Sequence, residues 1–157
     1  MPDPWKDFMP PENTLFVGRK ASFTKKVTEH DITAFSEVSG DSNPLHSDPE
    51  YAAKTRFGQR IAHGAFGLGL VSAVLGTKLC PEKTVIYLGQ SVRFLRPVYL
   101  NDTVTAECEI TEVKSDRPIA IVACRCMNQN GEEVLKGEAT IMLDPVPFVA
   151  PRSGASV

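Results

Sequence analysis

From Gly64 to Leu79 the chain reads GAFGLGLVSAVLGTKL, with Ser72, Thr77 and Lys78 as its polar members. A helix that is apolar on every side has to be enclosed by the rest of its fold. These 16 residues fall short of the roughly 20 that cross a bilayer. The run therefore predicts a helix buried inside a globular domain. Its four glycines, Gly64, Gly67, Gly69 and Gly76, each cost a helix about 1 kcal/mol relative to Ala, so packing must outweigh propensity and a close neighbour, backbone or ligand, is expected there.

The sequence after this run supplies the enclosure. Val104, Ala106, Cys108 and Ile110 alternate with Thr103, Thr105, Glu107, Glu109 and Thr111, the period of a strand with one wet face. Leu135, Gly137, Ala139, Ile141 and Leu143 repeat the pattern. Residues 119–127 are apolar on both phases except at Arg125, as a central strand would be, and residues 84–96 form a long strand ended by Pro97. Turns are expected at Asn101-Asp102, Ser115-Asp116 and Asn130-Gly131. With a short strand over Ala21 to Val27, the expected class is α+β, one buried helix against a long antiparallel sheet.

At 157 residues the chain is read as one domain over 20–144. Residues 1–19, rich in proline but carrying Trp5, Phe8, Leu15 and Phe16, form an extended arm lying on it, and residues 145–157 form a fraying tail. A net charge of −2 gives no electrostatic case for nucleic acid or an anionic membrane as partner. Asp3, Lys6 and Asp7 interrupt the first residues, which lack the apolar stretch of a secretory signal, and a cytoplasmic location is expected. Cys80, Cys108, Cys124 and Cys126 make neither a CxxC pair nor a disulfide framework and are read as reduced, buried thiols.

Thr28 caps a helix running to Ser39 with Ile32, Phe35 and Val38 on its apolar stripe, and Asp48-Pro49 opens a short helix through about Lys54. Between them lies SGDSNPLHSD, Ser39 to Asp48, which Gly40 and Pro44 bar from regular helix or strand. Asp41 and His46 are groups able to pass protons near neutral pH. Five extended residues span about 17 Å, so a turn must bring them together. Asn43 before Pro44 and the side-chain acceptors around it favour such a turn. On these residues alone, a surface turn with Asp41 as a cap and His46 in solvent competes with a catalytic pair. A calcium loop fails, because Pro44 occupies the spacer, His46 stands where glycine is needed and no Glu closes the loop. Zinc through His46 and His63 lacks further ligands at a recognisable spacing. No metal and no cofactor are expected.

Phe35, the SGDSNPLHSD segment, IAHG from Ile61 to Gly64, and YLGQSVRF from Tyr87 to Phe94 with Pro97 after it occur in an order that resembles the MaoC-like, R-specific enoyl-CoA hydratases of the hot-dog fold. The resemblance covers residues 20–144. It implies a curved sheet wrapping the central helix, a homodimer or higher even oligomer joined through sheet edges, and an acyl-thioester site near that interface. It further implies Asp41 and His46 as the catalytic dyad, Gly64 as backbone oxyanion donor, Ser72 as a hydroxyl bonding near Asp41, and Asn43 as the residue ordering the loop. Leu75, next along the helix from Ser72, would close the acyl pocket. His63 and His30 are read as structural and solvated, and Arg93 and Arg96 as edge-strand solubility residues.

The implied activity is reversible syn hydration of trans-2-enoyl-CoA to (3R)-hydroxyacyl-CoA. A (3R)-hydroxyacyl dehydratase acting on acyl-carrier-protein thioesters uses the same dyad and is the alternative. A hot-dog thioesterase commonly carries an acid on the central helix, and residues 64–79 contain none. A non-catalytic acyl-binding subunit would have no need of the dyad.

Overall fold

The computed structural model describes residues 14–146. Its strands are β1 (Lys20–Lys26), β2 (Thr84–Phe94), β3 (Thr103–Val113), β4 (Ile119–Met127) and β5 (Glu133–Asp144). They pair antiparallel in the order β1-β3-β4-β5-β2, so β4 is central, as its doubly apolar sequence requires. The alternation in β3 resolves into one buried face, Val104, Ala106, Cys108 and Ile110, and an outer face where Glu107 pairs with Lys20 and Arg125. At Gly137 a Cβ would collide with the Ser91 carbonyl oxygen across the β5–β2 pair, so the close approach of these strands requires glycine.

The helices are α1 (Glu29–Ser39), α2 (Pro44–Ser47), α3 (Pro49–Ala53) and α4 (Gly64–Val74). The apolar run is helical along its expected length, but its last turn, Leu75–Leu79, is wound as a π-helix. α4 packs on β1, β3 and β4 and buries Leu70, Val71 and Val74. Its opposite side is uncovered: Gly64, Ala65, Gly69 and Ser72 are exposed. The sheet of one chain thus encloses one side of the helix rather than all of it.

Thr28 caps α1 through a reciprocal box with Asp31, each side chain meeting the other's backbone N–H. Of the expected stripe only Ile32 is buried, and Val38 is 83% exposed. The segment read as non-helical contains the single turn α2. Pro44 fits its first position, where an N–H has no helical partner, and Asn43 caps it by accepting from Leu45 N at 3.0 Å. Asp48 caps α3 at Glu50 N and Tyr51 N.

Thr14 and Leu15, the described end of the arm, are buried, Leu15 in the core. Trp5, Phe8 and all of the tail beyond Val146 lie outside the described residues. The four cysteines are buried and unpaired. Among the described residues no helix is long and apolar enough to cross a membrane.

Candidate active site

Three side-chain-to-backbone bonds fold the segment after α1. The chain leaves the helix through Gly40 at φ 77°, then Asp41 N donates to Ser39 Oγ at 3.1 Å, Asn43 N to Asp41 Oδ1 at 3.2 Å, and Leu45 N to Asn43 Oδ1 at 3.0 Å. Asn43 thus orders the loop from both of its ends. The result places Asp41 Oδ2 at 4.0 Å from His46 Nε2, with the aspartate side chain half exposed and His46 buried. Their separation is too long for a direct hydrogen bond and suits a molecule held between them. His46 Nδ1 lies 2.8 Å from the Ile61 carbonyl. A carbonyl only accepts, so Nδ1 carries the proton, and in the neutral ring Nε2 presents a lone pair towards Asp41.

His63, read as merely structural, is part of this cluster. Its Nε2 is 3.0 Å from the Asp41 carbonyl and 3.2 Å from Ser36 Oγ, and its ring stacks on His46 with centroids 3.8 Å apart. Neither Ser36 nor the Ile61 carbonyl had a sequence signal, because both act across 15 or more positions. Arg60 adds a clasp, pairing with Glu29 at the start of α1 and donating to the Ser47 carbonyl at 3.3 Å. The Arg60 hydrogen bond holds the Glu29 carboxyl below its usual range, against the small opposing effect of burial.

Asp41, His46 and His63 bring one donor atom each within 4.8 Å. The set suits proton transfer better than a metal. His46 Nδ1 and His63 Nε2 are held by carbonyls, so each ring keeps one nitrogen, and with one carboxylate the set falls short of the four protein ligands of a structural site.

Gly64 is the first residue of α4, where the backbone N–H has no intrahelical partner and the helix dipole favours negative charge. A Cβ here would come within 3.0 Å of the Phe94 ring, a tight contact that the half-exposed phenylalanine would have to relieve by shifting. A cavity of about 330 Å³ opens at this point, lined among others by His63, Gly64, Gly67, Leu70, Phe94 and Leu135.

Two expected members stand apart. Ser72 is exposed on the open side of α4, and no hydrogen bond joins its hydroxyl to Asp41 in the described chain. Eight residues along a helix carry it about 12 Å from Gly64. Leu75 is 1% exposed in the hydrophobic core and does not line the cavity. The helix turns that side inward against the sheet, and Leu70 and Leu135 occupy the cavity wall instead.

A five-stranded antiparallel sheet packed on one helix, with an Asp/His pair beside the N-terminus of that helix, defines a hot-dog domain. The MaoC like domain family matches residues 13–125, and the chain belongs to that family. The (R)-specific enoyl-CoA hydratase of Aeromonas caviae is 44% identical over 130 residues, covering 83% of this chain and 96% of that protein. The solved structure of the A. caviae (R)-hydratase involved in PHA biosynthesis superposes with a TM-score of 0.80 over 83% of this chain and 98% of that one. The 3-hydroxybutyryl-CoA dehydratase of Methylorubrum extorquens is 41% identical over 127 residues, 81% of this chain and 80% of its own length.

Proposed function

We propose that the protein is an (R)-specific enoyl-CoA hydratase, a hydro-lyase that adds water reversibly and syn across trans-2-enoyl-CoA to give (3R)-hydroxyacyl-CoA. The observation that carries this reading is the 4.0 Å separation of Asp41 Oδ2 and His46 Nε2, two acceptors close enough for one water to bond both. The names of the relatives above supply the substrate class.

A water in that gap donates one hydrogen bond to each partner. As its oxygen bonds to Cβ of the enoyl thioester, the O–H bond breaks towards His46 Nε2, whose ring is already anchored through Nδ1–H on Ile61. Asp41 orients the water and stabilises the imidazolium. Electron density moves to the thioester oxygen, to which the Gly64 N–H donates a hydrogen bond, an interaction whose loss typically costs about 3 kcal/mol of transition-state stabilisation. The imidazolium then returns the proton to Cα. Hydroxyl and hydrogen arrive from one side, which makes the addition syn, and the reverse sequence is the dehydration.

The reading includes a homodimer. β2 is an edge strand of 11 residues, and Leu88, Phe94 and Leu95 on and beside it are 45–54% exposed. The open side of α4, with Ser72, also awaits a cover. An isologous contact would satisfy both. A cytoplasmic location is part of the reading and fits four unpaired thiols.

The test is an absorbance assay with crotonyl-CoA, with chiral analysis of the product and a parallel acyl-carrier-protein substrate. Loss of the enoyl absorbance with (3R) product is expected. An inert enzyme or a (3S) product would defeat the reading, and a preference for the carrier protein would reassign it to the dehydratase alternative.

A further inference from the structure

His63 is 3% exposed, and its Nδ1 is buried without a hydrogen-bond partner. An unpaired polar atom in an interior is a cost that calls for a reason. Capping is not the reason: His63 stands at the N-cap of α4, yet its side chain makes no capping bond. Filling space is not the reason either, since an apolar ring packs beside Phe35, 4.8 Å away, without an orphaned nitrogen.

What the imidazole does uniquely is touch both members of the dyad. Its Nε2 faces the Asp41 carbonyl at 3.0 Å, and because that oxygen only accepts, the proton is on Nε2. Ser36 Oγ, at 3.2 Å, shares it. Its face lies on the His46 ring, 3.8 Å between centroids and 30° between planes. The His46 ring has one hydrogen-bond tether, Nδ1 on Ile61, and the stacked face of His63 opposes tilt about that bond and so helps fix where Nε2 aims. The two histidines are thus held in opposite tautomers, Nδ1–H in His46 and Nε2–H in His63.

We propose that His63 is a positioning residue that sets the separation of Asp41 and His46, binding the backbone of one and stacking on the ring of the other. This rests on the hydratase reading for its kinetic arm only. Two substitutions divide its roles: His63→Phe keeps a stacking face and loses the donor, and His63→Gln keeps a donor and loses the face.

With crotonyl-CoA each variant is expected to lose about 10- to 100-fold in kcat, the scale of a small misplacement of reacting groups, with KM changed by less than about 3-fold. In an Asp41→Asn background the same substitutions should cost less than about 3-fold, because there is no longer a dyad to align. Equal losses in both backgrounds would mean general structural damage and overturn the proposal, as would wild-type kcat in both variants. Circular dichroism identifies a variant that fails to fold, in which case the other is decisive. Imidazole nitrogen NMR provides an arm that needs no activity. Opposite tautomers in the folded wild type, and His46 ring resonances displaced in either variant, are expected. Matching tautomers, or an undisturbed His46, would overturn the proposal even if the protein hydrates no enoyl-CoA, an outcome that by itself defeats only the hydratase reading.

Discussion

His46 Nε2 faces Asp41 Oδ2 across 4.0 Å although the two stand five positions apart along the chain, and the one-turn helix α2 is what closes that distance. Asn43 and Pro44 start the turn, His46 falls on its inner side, and the Ile61 carbonyl pins the ring there.

Asp41→Asn and His46→Gln keep size and polarity while removing proton transfer. Each is expected to slow crotonyl-CoA hydration by about 10² to 10⁴, with unchanged circular dichroism. A folded variant retaining most of its rate would remove that residue from the dyad.

Leu88 lies on the β2 edge, 49% exposed. In the dimer reading, Leu88→Lys places a charge in an apolar contact and should yield a monomer with reduced activity. Sedimentation velocity at micromolar concentration decides it, and a fully active wild-type monomer would end the dimer reading.

Leu70 and Leu75 separate pocket from core. Leu70→Ala should widen the cavity and raise kcat/KM for octenoyl-CoA relative to crotonyl-CoA, since each extra buried methylene is worth about 0.8 kcal/mol. Leu75→Ala should instead destabilise by about 2–5 kcal/mol, as core truncations do, with the ratio unchanged. A ratio that rises only for Leu75→Ala would move the end of the acyl site to the π-helical turn.

The Arg60 clasp predicts a pH effect on stability. Glu29 has its folded value lowered by the Arg60 hydrogen bond, so its contribution is present above the ordinary carboxylate range and fades as pH falls through the lower folded value. Arg60→Met should therefore lower Tm at pH 7 and make progressively less difference below about pH 4. The pair is largely solvent-exposed at Glu29, so the effect is small. A Tm difference that grows in acid would contradict it.

Period and composition were enough to specify the strands, the central position of β4, the apolar helix and the turn at Gly131, because each follows from which faces of a local element avoid water. The SGDSNPLHSD motif likewise carries Asp41 and His46, the two proton-passing groups of the segment, in plain view. Tertiary structure alone decided what surrounds them. His63 joins Ser36 and the Asp41 carbonyl over 22 or more positions, and no local pattern encodes a contact between segments that meet only when the chain has folded. The same holds for α4. Its sequence states that every side is apolar, but only the packed sheet determines that Leu75 faces the core, Leu70 the cavity and Ser72 the open side. Burial requires a partner surface, and which surface arrives is set by the path of the whole chain.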